Sequence, residues 1–236
     1  SSLRTLGGGG GPRPAEHVKA LDKNFKGRPG IGYGLTETNA LGTMGAGDEY
    51  INNPSSAGRV VPPLTEIKII DENWQELPEG KIGEVAIRSQ SNMKGYWRND
   101  DATAECINSE GWFKSGDLGK FDGPFLYILD RLKDMVIRGG ENIACPEVEG
   151  AIYEHPDVLE ASVFGIPDER LGEILCSSIC LREGSKLSVE SLNEFLSDKL
   201  AAFKIPVKIK FTYNPLPKIA SGKFDKPTMR QNFIEE

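Results

Sequence analysis

The chain has 236 residues, 28 Lys+Arg against 35 Asp+Glu, a formal net charge of −7, 38% hydrophobic residues and 27% charged residues. A balance this acidic excludes a general nucleic-acid or anionic-membrane binder, which needs a basic face, and the globular composition excludes wholesale disorder. Apolar runs such as Ala161 to Phe164 and Ile205 to Val207 fall far short of the roughly 20 residues of a membrane-spanning helix.

Residues 1–50 are glycine-rich, with Gly7 to Gly11 after Leu6 and then Gly30, Gly32 and Gly34. Between them Pro14 opens a predicted helix whose Val18, Leu21 and Phe25 form an apolar stripe. One strand–helix–strand unit predicts the end of a parallel α/β sheet. From about 55 to 130 short, partly alternating strands follow: Thr65 to Ile70, Gly83 to Arg88, Gly111 to Phe113 and Phe125 to Leu129. These predict a small β-barrel or half-barrel, with a short helix over Asp101 to Cys106.

A boundary is expected near Asp130 to Asp134, where apolar strand gives way to charge. Beyond it the pattern is α+β. A Met135 to Ile137 strand turns at Gly139-Gly140, and Pro146 starts a helix containing Val148 and Ile152. Strands are predicted at about 158–166 and 173–182. Ser188 caps a helix whose Leu192, Phe195, Leu196, Lys199, Leu200 and Phe203 recur at helical spacing, and Val207 to Tyr213 is a last strand.

The four cysteines, Cys106, Cys145, Cys176 and Cys180, form no CxxC pair, and the two histidines are His17 and His155, so no zinc cluster is expected. Cys176 and Cys180 fall on one face of a single strand and are read as core-filling thiols, not a disulfide. The chain opens Ser1-Ser2 with neither a charged n-region nor an apolar h-region, so no signal peptide is expected. With unpaired thiols this predicts a reducing, cytoplasmic setting. The missing initiator Met predicts that a preceding segment has been removed.

Four short motifs carry candidate chemistry. In Gly32-Tyr33-Gly34-Leu35-Thr36-Glu37-Thr38, glycines allow close backbone approach to a ligand and Tyr33 offers a flat face. Thr36 can donate to a phosphate oxygen and Glu37 can hold a hard cation such as Mg²⁺. The same run also reads as a strand ending in a glycine turn, with Thr36 capping the next element. In Trp112-Phe113-Lys114-Ser115-Gly116-Asp117, Asp117 can accept both hydroxyls of a ribose, or form an ordinary Asx turn. The run Asp130-Arg131-Leu132-Lys133-Asp134, leading into Gly139-Gly140-Glu141-Asn142, also reads as a solvated charged linker before a hairpin. In Ser221-Gly222-Lys223 a turn presents a lysine that can neutralise a phosphoryl or carboxylate group, or merely solvate the surface.

Together and in this order, these motifs resemble those of the adenylate-forming enzymes: acyl-CoA synthetases, peptide-synthetase adenylation domains and beetle luciferases. The resemblance runs from Leu3 to about Arg230 and is strongest in the acyl-CoA synthetase branch. It implies the C-terminal portion of an ATP-dependent, AMP-forming acid–thiol ligase, which makes an acyl-adenylate, for instance of a fatty acid, and passes the acyl group to coenzyme A. On that resemblance Tyr33 stacks on adenine beside Gly34, Thr36 binds the α-phosphate, Glu37 holds Mg²⁺, and Asp117 and Arg131 grip the ribose. Gly9, Gly10, Gly11 and Pro12 match the family's Gly-Gly-Ala-Pro loop, with Gly11 in place of alanine. Lys223 is the catalytic cation, Asp130 the hinge, and Gly139 and Gly140 line the tunnel for the CoA thiol.

The implied domains are 1–50, the end of a large AMP-binding domain; 51–129, its β-barrel-like subdomain; and 130–236, a mobile C-terminal lid. Ser115 stands where many relatives have Thr, and Cys145 where an aromatic or small polar residue is common. The family's Ser/Thr/Gly-rich phosphate loop ending in Lys is not in the sequence. The implied substrates are therefore a carboxylic acid, ATP and CoA, handled together with an N-terminal part of the same polypeptide and inactive without it. A peptide-synthetase adenylation domain is the alternative enzyme, although Glu141-Asn142-Ile143 and Ser221-Gly222-Lys223 look more like the CoA-ligase forms. A luciferase is disfavoured by Ile137, where luciferases present a lysine. A non-catalytic nucleotide-binding or interaction module is the alternative of another class.

Overall fold

A computed structural model describes residues 4–10, 13, 15–24 and 27–235, with the backbone alone for Glu16. The expectations for Gly11, Pro12, Pro14 and Phe25 lie outside the described residues. The chain divides into two compact units, Ser1–Leu132 and Lys133–Glu236.

The first unit is built on one eight-stranded sheet. β1 (Thr5–Gly9), α1 (Ala15–Asn24) and β2 (Arg28–Tyr33) form the expected strand–helix–strand unit, with β1 and β2 parallel. Val18 on α1 is fully buried. β3 (Thr43–Ala46), α2 (Asp48–Asn52), β4 (Arg59–Val60), β5 (Thr65–Ile70) and β6 (Gly83–Ser89) follow, then α3 (Asp100–Cys106), β7 (Phe113–Asp122) and β8 (Phe125–Arg131). The spatial order is β1-β2-β3-β4-β8-β7-β6-β5.

Of the expected β-barrel or half-barrel, the closed form is corrected here. Among the described residues no barrel closes, because β3 pairs with β4 (Thr43↔Val60) and β4 with β8 (Arg59↔Phe125). The strand that would seal a barrel is thereby joined to the glycine-rich strands, and β5 stays an edge. The strand expected at Gly111 starts at Phe113, since Asn108 bonds the Trp112 amide at 3.0 Å and holds a turn there.

The second unit contains β9 (Val136–Arg138), β10 (Glu141–Ile143), α4 (Cys145–Tyr153), β11 (Val158–Asp168), β12 (Gly172–Leu181), α5 (Val189–Ser197), β13 (Lys208–Thr212) and α6 (Lys226–Ile234). Its sheet runs β10-β9-β12-β11, with β13 parallel to β12. Side chains alternate between faces along a strand. Ala161, Val163, Leu175 and Ile179 therefore meet Val148, Ile152, Leu192 and Leu196 of α4 and α5 on one face. Phe164, Ile166, Cys176 and Cys180 meet Met229 and Phe233 of α6 on the other. Each such aliphatic side chain contributes about 1.5–3 kcal/mol when fully buried. Cys176 and Cys180 are free and buried in one cluster, as expected, and burial pushes the Cys176 thiol up to about 11.

α5 begins as predicted, the Ser188 hydroxyl accepting from Ser191 N at 3.2 Å, but it ends at Ser197 instead of continuing to Phe203. Pro206 holds Ile205 in the extended region, and a short 3₁₀ turn at Ala202–Lys204 replaces the last helical turns.

Candidate active site

In the first unit the site begins where β2 ends. A Cβ on Gly34 would stand 2.4 Å from the carbonyl carbon of Ala40. Only glycine permits the chain to fold back this tightly. The returning loop closes with Ala40 N donating to Leu35 O at 2.8 Å. The hydroxyl that caps the intervening 3₁₀ turn is that of Thr38, fully buried, which accepts from Leu35 N at 3.0 Å. The capping expected of Thr36 thus falls to Thr38, and Thr36 is exposed, with no hydrogen bond from its hydroxyl to another described residue. Glu37 is half-buried; its carbonyl accepts from Met93 N at 2.7 Å and its carboxylate from the Tyr96 hydroxyl at 3.0 Å. Burial first, then the Glu37 hydrogen bond, pushes the Tyr96 phenol up to about 12. It therefore remains a donor at neutral pH.

The second element is a bulge in β7. Ser115, Gly116 and Asp117 together stand opposite the single residue Val85, because the β6–β7 register jumps from Ala86↔Lys114 to Glu84↔Leu118. Bulges redirect side chains, and this one is pinned by Glu84, whose carboxylate accepts from Gly116 N at 3.0 Å. Ser115 takes the turn-forming role, its hydroxyl accepting from Asp117 N at 3.1 Å. One oxygen of the buried Asp117 carboxylate accepts from the Tyr33 hydroxyl at 2.8 Å, and the other lies 3.6 Å from Arg131 Nε across the β7–β8 ladder. Asp117 is 6% exposed, whereas the Arg131 side chain is 44% exposed. Burial, and after it the Asp117 charge, raises the Tyr33 phenol well above its ordinary value. Gly9 pairs with Gly32, which brings Gly9 and Gly10 beside the Tyr33 strand. A cleft of about 370 Å³ borders these groups, lined by Leu35, Glu37, Tyr96, Cys106, Ser115 and Gly116.

Among the described residues no group of three or more His, Cys, Asp or Glu could hold a metal ion by itself. That fits Mg²⁺ bound to a nucleotide, which takes one or two carboxylates and completes its shell with phosphate oxygens and water. Glu37, its carboxylate bonded to the Tyr96 hydroxyl, lines the cleft that Ser115 and Gly116 border.

Asp130 is the penultimate residue of β8, is 6% exposed, and accepts from its neighbour Arg131 N at 2.7 Å, two residues before the first unit ends. The second unit carries the other candidates. Gly139 and Gly140 form the β9–β10 turn, both at positive φ, and Gly139 N donates to Leu171 O at 2.8 Å. Beside them a cleft of about 410 Å³ is lined by Arg138, Gly139, Arg170, Leu171, Ala202 and Phe203. Arg138 is held there by donating to Phe203 O at 2.6 Å. The sequence motifs did not single out Arg138, Arg170 and Phe203 as site residues; the arginine immediately before Gly139 was the available signal. Lys223 is exposed in the turn before α6.

Two family profiles match: "AMP-binding enzyme" over residues 1–97 and "AMP-binding enzyme C-terminal domain" over residues 147–223. The chain is 37% identical to a feruloyl-CoA synthase of Amycolatopsis sp, covering 99% of this chain and 47% of that protein. It is 36% identical to the mitochondrial medium-chain acyl-CoA ligase ACSF2 of Danio rerio, covering 98% and 38%. Among solved structures, the o-succinylbenzoate CoA synthetase MenE of Bacillus subtilis, in complex with its acyl-adenylate intermediate, superposes with a TM-score of 0.86 at 32% identity, over 100% of this chain and 46% of that one. The chain thus spans less than half the length of these relatives. With both profiles matched in order, the chain belongs to the AMP-binding, adenylate-forming enzymes.

Proposed function

We propose that this chain serves an AMP-forming acid–thiol ligase that activates a carboxylic acid, a fatty acid in our reading, and transfers it to coenzyme A. The observation that carries the reading is the convergence of Tyr33 and Arg131 on the two oxygens of Asp117, with Tyr33 three residues before the exposed Thr36. Asp117 accepts hydrogen bonds from the ribose hydroxyls, with Arg131 closing over the same edge, and the Tyr33 ring faces adenine. Thr36 donates to an α-phosphate oxygen. Glu37 holds Mg²⁺, which when bound neutralises phosphate charge.

In the first half-reaction a carboxylate oxygen attacks the α-phosphorus of ATP and pyrophosphate leaves. Lys223 places its ammonium between the two anionic reactants, where a fixed cation offsets repulsion in a water-poor site. In the second, the CoA thiolate attacks the acyl carbon and AMP leaves. Gly139 and Gly140 give the thiol arm a passage free of side chains, and the adjoining Arg138–Arg170 cleft suits the phosphorylated end of CoA. Asp130 is the hinge about which residues 130–236 exchange the Lys223 face for the Gly139–Gly140 face.

The chain alone does not turn over in this reading, because its sequence has no Ser/Thr/Gly-rich loop ending in Lys for the β- and γ-phosphates. Its free cysteines suit a reducing compartment, the cytoplasm in our reading, and among the described residues no helix is long and apolar enough to cross a membrane. Medium-chain specificity in the ACSF2 relative supports the fatty-acid choice, while feruloyl specificity in another sets the competing acids to assay. The test is AMP release from ATP by the full-length gene product with CoA and a panel of straight-chain and aromatic acids. Release that requires both acid and CoA supports the ligase. Nucleotide binding without AMP release for any acid points to a non-catalytic module.

A further inference from the structure

We propose that Glu160 is a positioning residue that sets the direction of the Lys223 turn. The inference rests on Lys223 acting in adenylate formation.

Lys223 lies on a short hairpin whose arms are tied by Ile219 N to Lys223 O at 2.9 Å and Asp225 N to Pro217 O at 2.9 Å, with Lys218 bridged to Phe224. Gly222 N closes the turn onto Ile219 O at 2.8 Å. These bonds fix the hairpin's internal shape and leave open where it points. The outgoing arm is held by Asp225, which caps α6 by accepting from Thr228 N at 3.2 Å. The incoming arm is held by Glu160.

Glu160 lies on the α6 face of β11, opposite Cys180, at a register shift in the ladder. Its two oxygens have separate tasks. Oε2 accepts from Leu216 N at 2.8 Å, and Oε1 pairs with Lys218 Nζ at 2.5 Å. The Glu160 side chain is 18% exposed and that of Lys218 39% exposed. Lys218 Nζ also stands 5.5 Å from the centre of the Phe224 ring, the residue after Lys223. One carboxylate thus ties the sheet to Leu216, to Lys218 and, through Lys218, to the far arm. It also neutralises Lys218, leaving Lys223 as the cation offered at the turn.

Misplacing a catalytic group by about 1 Å costs on the order of 100-fold in rate. In the full-length protein, Glu160→Ala is expected to slow acid-dependent ATP–pyrophosphate exchange by about 30- to 100-fold, mostly in kcat. Glu160→Gln keeps an acceptor for Leu216 N and should lose less. Thioester formation from a supplied acyl-adenylate, which does not use Lys223, should stay within about threefold of wild type in both variants. Hydrogen exchange supplies a readout independent of activity: the Ile219, Gly222 and Asp225 amides should lose protection while β11 and β12 amides keep theirs.

Equal losses in both half-reactions, or unchanged protection in the hairpin, would overturn the inference. So would normal exchange in Glu160→Ala alongside a Lys223→Ala control that abolishes it. Normal pyrophosphate exchange in Lys223→Ala itself would instead overturn the reading on which the inference rests.

Discussion

The Tyr33 hydroxyl donates to Asp117 Oδ2 at 2.8 Å, while Arg131 approaches the other oxygen of the same carboxylate to 3.6 Å. A buried carboxylate held at both oxygens is oriented before any ligand arrives, and pre-orientation lowers the cost of binding. Tyr33 is suited to this role because burial and the Asp117 charge both keep its proton on.

Tyr33→Phe should keep the ring and lose the restraint. A hydrogen bond to a charged group contributes about 1.5–3 kcal/mol, so the KM for ATP in pyrophosphate exchange should rise roughly 10-fold or more. The melting temperature should move little. An unchanged KM for ATP would deny Asp117 its place at the ribose.

Glu37 has the Tyr96 hydroxyl on one oxygen at 3.0 Å. Glu37→Gln keeps an acceptor for Tyr96 and removes the charge, so the Mg²⁺ concentration that gives half-maximal exchange should rise by about 10-fold or more. Tyr96→Phe frees the carboxylate without discharging it and should shift that concentration less. A Mg²⁺ titration of the two variants checks the ranking; identical curves for Glu37→Gln and wild type would remove Glu37 from the metal.

The elements of the second unit were readable because local signals and burial agree there. The Ser188 cap, the Gly139-Gly140 turn and the shared face of Cys176 and Cys180 each depend on residues a few positions apart. The site's decisive contacts are not local. Tyr33 and Asp117 are 84 residues apart, and Glu160 and Lys218 are 58 apart. Strand order brings such pairs together, and alternation within a strand carries no information about it. The difference at α5 has a similar cause: Leu200 and Phe203 pack on the same core as Leu196, so their burial repeats at helical spacing although the chain between them is already extended at Ala201.

Glu84 gives a pH-dependent prediction. Burial raises its carboxyl above the ordinary value of 4.5, partly opposed by the Gly116 N–H. The folded state therefore holds the proton more tightly than the unfolded state, so this group's contribution to stability falls as pH rises from about 4.5 through the raised value. Glu84→Gln retains an oxygen for Gly116 N and has no charge to desolvate. Its melting temperature should exceed that of wild type at pH 7, with the gap narrowing below pH about 4.5. A gap that is constant across pH would assign the effect to something other than Glu84 ionisation.

The two faces of the second unit should be separable by mutation. Lys223→Ala removes the cation needed when carboxylate and α-phosphate meet, and loss of one such electrostatic group costs about 100- to 1,000-fold. Pyrophosphate exchange should fall by that amount while a supplied acyl-adenylate is still converted to thioester. Gly140→Leu should do the reverse, blocking the thiol arm and leaving pyrophosphate exchange within about threefold of wild type. Gly140 has φ +88, with nothing within 4 Å of where its Cβ would stand. The substitution therefore meets no clash within its own unit and costs roughly 1–2 kcal/mol of backbone strain. That strain lowers the melting temperature and by itself affects both half-reactions alike. Selective loss of thioester formation is consequently the signature of an obstructed passage. Parallel loss of both activities would mean that Gly140 serves the turn and not the thiol.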